Sequence, residues 1–263
     1  MQGISPFIHA LRMVLDNGGM ALRLSGLVMG VQLVLVLALG QQASFLPIDP
    51  ATGAPVGGRA EAPAPGGQGF VVLVQLALGL WVSVAWHRFI LIGQAPGGFI
   101  PLVPWRAMLR YLGAALLYGL ILLLAAIPLS VLGLFLIGPA AIAGQAGAGP
   151  WPLILYSLLV GLPVGYLALR LAPILAAAAV QKPLPLSEAW YRSGTHGGAL
   201  LVLTFVIFLA YTVVNMPVAV LAASFPGLAF GYAFVVQWAV LLVTASLVNT
   251  LYLHIIEERP IDD

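Results

Sequence analysis

Residues 168–176 read ALRLAPILA, and their reading decides the fold. Arg170 interrupts an apolar run that extends from Trp151 to Val180, with no acid close by in sequence to neutralise it. From Trp151 to Arg170 an α-helix advances about 28 Å, close to the ~30 Å hydrocarbon core of a bilayer. The charge therefore belongs at the far interface, where a long stem lets the guanidinium reach headgroups. Arg88 stands at a similar distance from Phe70 and takes the same reading. Both runs then continue through apolar residues, LAPILAAAAV and FILIG, so other parts of the chain must cover those ends.

Composition agrees with a chain that lives in lipid. The 263 residues are 62% hydrophobic and 7% charged, with mean hydropathy +1.08. A soluble domain carries roughly 25% charged residues, so a surface this poor in charge matches lipid, not water. The absence of cysteine removes disulfides, thiolate nucleophiles and cysteine metal sites together. A net charge of +2 gives no case for nucleic-acid binding, despite a pI near 9.1.

Apolar runs predict an all-α membrane protein with six transmembrane helices over 24–40, 70–92, 111–140, 151–180, 197–223 and 228–255, a single domain from 1 to 263. Arg59 alone among the ten basic residues falls between the first two spans; the other nine fall on the opposite side. This positive-inside pattern predicts both termini in the cytoplasm, and all four histidines lie on that side. A cleaved signal peptide is the alternative for the first span. A lead of more than twenty residues before it and the length of its apolar run argue against cleavage. Residues 41–69 are rich in Gly, Pro and Ala and predict a flexible outer loop without a fold of its own.

Short amphipathic segments precede the odd-numbered spans and predict three cytoplasmic helices in the interface plane. In SPFIHALRMVLD (5–16), Ser5 is the expected cap. His9, Arg12 and Asp16 share one face, and Phe7, Ile8, Leu11 and Leu15 the other. PWRAMLRYL sets Arg106 and Arg110 opposite Trp105, Met108 and Leu109. In PLSEAWYRS, Ser187 is the expected cap and Glu188 and Arg192 an i,i+4 pair. Arg88 and Arg170 are 82 residues apart, as are Pro101 and Pro183, Ala107 and Ala189, and Arg110 and Arg192. The pattern predicts a threefold parallel repeat of interfacial helix, span, outer loop and span.

The segment RLAPILAAAAVQKPLPLSEAWYRSG (170–194) resembles a motif of six-span bacterial inner-membrane families. These are the YciC-like proteins and the membrane domain attached to some glycerophosphodiester phosphodiesterases. Arg170 and Pro173 match the close of a span, and Ser187, Glu188, Ala189, Trp190, Arg192 and Ser193 the opening of the next. VAWHRFILIG (84–93) is similar to a signature of small bacterial membrane proteins. The resemblance implies an inner-membrane six-helix domain. The phosphodiesterase reaction is not implied, since no catalytic barrel or His/Glu/Asp set accompanies the motif.

No acid lies within a span, which disfavours ion-coupled pumping. Gln32, Gln75, Asn215, Gln237 and Asn249 either line a polar path or hydrogen-bond across helices. His254 with Glu257 and Glu258 has metal-like spacing but reads more simply as a solvated helix end. Three GxxxG pairs, Gly26/Gly30, Gly161/Gly165 and Gly227/Gly231, offer close helix packing or a dimer face. No metal or cofactor is expected, and the paired groups of an enzyme are missing. The sharpest candidate site is the inner belt of His87, Arg88, Arg106, Arg110, Arg170, Lys182 and Arg192, which would attract anionic lipid. The leading expectation is a non-enzymatic structural, accessory or anionic-lipid-organising membrane protein, partnered by lipids and by copies of itself or a larger membrane complex. A transporter or permease-like protein for a lipid or amphipathic solute is the alternative.

Overall fold

The computed structural model describes residues 3–40, 42–46, 67–95, 103–139, 151–182 and 184–260. Asp49, Arg59, Glu61, Asp262 and Asp263, most of the expected outer loop, and Pro101 and Pro183 of the repeat lie outside the described residues. Among the described residues the chain is all-helical, without strands. Its elements are α1 (Ser5–Asp16), α2 (Gly18–Ala38), α3 (Gly67–Ile92), α4 (Trp105–Ile137), α5 (Trp151–Leu171), α6 (Pro173–Ala179), α7 (Leu186–Gly194), α8 (Gly197–Ser224) and α9 (Pro226–Leu251). A π-helical turn, Tyr252–Ile256, extends α9. Six helices are long and apolar enough to cross a membrane, so the described structure is that of a membrane-embedded chain.

The run that follows Arg170 carries its span on to Ala179 with one interruption. Ala172 keeps right-handed helical backbone, but the hydrogen bonding lapses there because Pro173 lacks the N–H that would continue α5. Leu175 N–H turns to Ala172 O instead, and α6 starts anew. Pro173, Ile174, Ala176, Ala177 and Ala179 of this short helix are buried. It packs on α3, α4 and α9 and on the π turn. The apolar residues beyond Arg170 are thus core, and the cover that the sequence required is α4 and α9. Gln181 ends the element at φ 61, with Lys182 N–H bonded to Ala177 O. This is the left-handed terminus that satisfies orphan helical carbonyls.

Around α6, contacts run from α3 to α4, α4 to α5, α5 to α8, α8 to α9 and α9 back to α3. α2 lies outside this circuit on α3, and α1 lies along α9. The largest buried group joins α1, α5, α6, α8 and α9 through Ala10, Leu169, Ala176, Leu203 and Leu251. A second joins α2, α3 and α9 around Leu24, Trp86 and Leu242. Indole N–H groups tie that second cluster, Trp86 to Ser246 Oγ and Trp238 to Ser25 Oγ, each at 2.8 Å.

Three local expectations are corrected. Residues 105–110 do not form a separate helix, because nothing interrupts helical hydrogen bonding between them and the span; α4 runs unbroken for 33 residues. Ser5 and Ser187 do not cap, since α1 begins one residue earlier, after Ile4, and α7 two residues earlier, after Pro185. The apolar set of α1 divides: Phe7 joins the core beside Ala10, whereas Ile8 and Leu15 remain exposed at 42% and 76%.

The glycine pairs also separate by use. A Cβ on Gly165 would lie 2.9 Å from Thr204 Cγ2, so this glycine sets how closely α5 approaches α8. A Cβ on Gly161 would lie 4.0 Å from Phe208 Cε2, an ordinary contact, and Gly26, Gly30, Gly227 and Gly231 face open space. Gly165→Ile is expected to lower the thermal stability of the detergent-solubilised protein by about 1–3 kcal/mol through overpacking. Gly161→Ala should be close to neutral. Equal melting curves for both variants would contradict this account of the α5–α8 contact.

Candidate functional site

Among the described residues the basic side chains gather at one end of the bundle, and three arginines are bound to helix ends. An α-helix leaves its last four carbonyls unpaired, and a cation there also meets the negative end of the dipole. Arg88 of α3 donates from Nη1 to Ala179 O, the last residue of α6, at 3.0 Å, and from Nε to Gln94 Oε1. Arg110 of α4 donates to Gln181 O just beyond α6, at 3.2 Å. Arg192 of α7 donates to Ile256 O at the end of the π turn, at 3.0 Å. Each guanidinium fastens the end of a distant segment to its own helix.

Arg170 is held most completely. Its Nη2 donates to Trp190 O at 2.6 Å and its Nε to Ser193 Oγ at 3.2 Å. Its Cζ sits 3.5 Å from the centroid of the Trp190 ring and 5.8 Å from that of Tyr166. A Cβ on Gly194 would come within 2.9 Å of Arg170 Nη2, so glycine there leaves the guanidinium room under α7 in this position. The charge that opened the sequence question is therefore a clamp between α5 and α7.

Acids complete the network. Glu188 pairs with Arg192 at 3.0 Å in the expected i,i+4 register, and Glu258 pairs with the same arginine at 3.6 Å. Glu257 bridges Lys182 at 2.7 Å and Arg259 at 2.9 Å. The hydrogen bond from Lys182 holds the Glu257 carboxyl below its ordinary range, and the same bond raises the Lys182 ammonium. The pair therefore contributes fully between those two titrations. It is lost on acidification through the depressed carboxyl and on alkalinisation through the raised ammonium. The Lys182 end is open to solvent, so the effect stays within about 1 kcal/mol.

His87 departs from its expected place in the belt. It is fully buried, because α3 turns that face toward α4 and α9 and away from the surface. Its Nδ1 lies 2.6 Å from Asn249 Oδ1 on α9, and its ring lies 5.6 Å from that of Tyr111. His87 Nε2 and Asn249 Nδ2 have no partner among the described residues. A buried orphan of this kind costs about 1–3 kcal/mol. Sequence reasoning noted both residues but not their pairing, because 162 positions separate them and no local signal couples them.

Arg106 is exposed and makes no ion pair among the described residues. Asn215 donates to Tyr211 O of its own helix, and Gln237 is exposed on α9. Among the described residues no three His, Asp or Glu side chains come together as a metal site. Six apolar helices and an arginine-clasped end define a multi-pass membrane protein. Comparison with protein-family models, curated proteins and solved structures returns no match.

Arg170→Lys is expected to lower stability by about 1–3 kcal/mol, nearly as much as Arg170→Ala, because an ammonium restores neither the planar stack nor the two directed donors. Thermal melts in detergent compare the two. Rescue by lysine would show that charge alone matters at this position.

Proposed function

We propose that this chain is a non-enzymatic structural or accessory protein of a bacterial cytoplasmic membrane that organises anionic lipid around its basic end. The observation that carries the reading is the start of α4. Arg106 is exposed there beside Trp105, itself 69% exposed, on a helix buried only at Ala107, Tyr111 and Gly133. An aromatic and a free cation at the root of a lipid-facing helix suit an interface rich in anionic headgroups.

On this reading the belt divides by role. Arg106, with Arg12 and Arg23, is exposed and faces headgroups, whereas Arg110 is exposed but committed to Gln181 O. Arg88, Arg170, Lys182 and Arg192 add to the local field while bracing the protein. The positive-inside pattern places this end, and both termini, in the cytoplasm. The exposed apolar Ile8 and Leu15 of α1, with Ile4 just before it, and the exposed Trp190 of α7 support an interfacial position for those helices. The repeat is supported by a shared device: Arg110 and Arg192, 82 residues apart, each donate to the end carbonyl of a distant element. These features are compatible with the six-span bacterial families that the 170–194 segment resembles.

Native mass spectrometry of the detergent-extracted chain tests the proposal. Wild type should retain phosphatidylglycerol or cardiolipin, and Arg12→Ala/Arg106→Ala should retain clearly less at unchanged melting temperature. Equal retention in both would remove the lipid-organising role.

A further inference from the structure

Two histidines at the basic end stand apart from the arginine network. His196 precedes the first turn of α8, and His254 lies in the π turn that ends α9. Both are half-buried, and their ring centroids are 5.4 Å apart with an interplanar angle of 67°. Hydrogen bonding sets the tautomer of each. His254 Nδ1 lies 2.9 Å from Arg259 O; a carbonyl only accepts, so Nδ1 carries the proton. Thr195 Oγ1 gives its hydroxyl proton to Arg192 O at 2.8 Å, and therefore accepts from His196 Nδ1–H at 2.9 Å. Each neutral ring thus turns an Nε2 lone pair away from its anchor. An imidazole with Nδ1–H fixed on an oxygen and Nε2 free is the form that metal-binding histidines take.

The surroundings do not oppose a cation. Lys182, Arg192 and Arg259 are each paired with one or more of Glu188, Glu257 and Glu258, leaving little net field. The backbone holds His254 in an unusual way. The π turn widens the helix there, and Glu258 at φ 55 lets the chain return, with Arg259 N–H on Leu253 O. Widened turns and left-handed non-glycine residues recur at functional sites. With Zn–N near 2.0 Å, a tetrahedral ion shared by two imidazoles sets their centroids about 5.2 Å apart. The observed spacing of 5.4 Å is already close to that value.

We propose that His196 and His254 form a two-imidazole site for a divalent transition metal of the zinc type, with water completing the coordination. Imidazole suits zinc, copper and nickel over magnesium or calcium. The bound ion ties the start of α8 to the end of α9.

Isothermal titration of the tag-free, detergent-solubilised chain with Zn2+ tests this. Wild type should bind one ion per chain. His196→Ala and His254→Ala should each weaken binding by at least about tenfold, and His9→Ala should bind as wild type. Histidine carbethoxylation of the wild-type chain, read by mass spectrometry, should show Zn2+ protecting His196 and His254 but not His9; this readout needs no variant to fold. No binding by wild type, retained affinity in either alanine variant, or no selective protection overturns the proposal.

Discussion

Guanidinium groups on helix-end carbonyls hold one end of this bundle together. A short apolar helix such as α6 could not exist at a membrane boundary with its terminal carbonyls unpaired, because neither lipid nor packed side chains would satisfy them. Arg88 and Arg110 reach the carbonyls of Ala179 and Gln181, and Lys182 N–H returns to Ala177 O. With its polar end satisfied, α6 can bury Ile174, Ala176 and Ala177 among its neighbours. Arg192 does the same for Ile256, so the closing turn of the last membrane helix is fixed by a residue from α7.

This division of labour separates two uses of positive charge that topology alone merges. A charge exposed beside Trp105 attracts headgroups, whereas a charge stacked on Trp190 joins two helices. A charged hydrogen bond is worth about 1.5–3 kcal/mol, against about 1 kcal/mol for a basic residue near an anionic surface. For Arg88, Arg170 and Arg192 the internal partner outweighs the lipid. The lateral surface is different in kind: α4 and the first half of α5 carry large exposed apolar side chains such as Phe135 and Trp151. Stability therefore concentrates at the clasped end and along α9, where Trp86 and Trp238 are also tied by hydrogen bonds.

The span count, the place of Arg170 at a helix end and the Glu188–Arg192 pair were legible in the sequence because each depends on local spacing. A run of apolar residues reports its own length, and a charge reports where that run must stop. The separate helix expected at 105–110 failed for a related reason: amphipathic periodicity does not reveal whether hydrogen bonding continues into the next turn. The interior position of His87 was hidden too, since a histidine beside an arginine looks the same whether its helix turns it to the surface or the core.

The sequence by itself determined that this is a six-helix chain for a lipid environment, with its basic residues gathered at one end. That follows from hydropathy and helical rise, which need no tertiary contact. Only the tertiary structure decided what those residues touch. The apolar run after Arg170 becomes a buried helix because α4 and α9 offer it a surface. Arg170 becomes a clamp because Gly194 lets α7 close over it. His87 meets Asn249, and His196 meets His254, across chain separations that no periodicity encodes. The physical reason is that directional contacts depend on how helices rotate and cross, which the packing of the whole bundle sets and the pattern of any single helix does not.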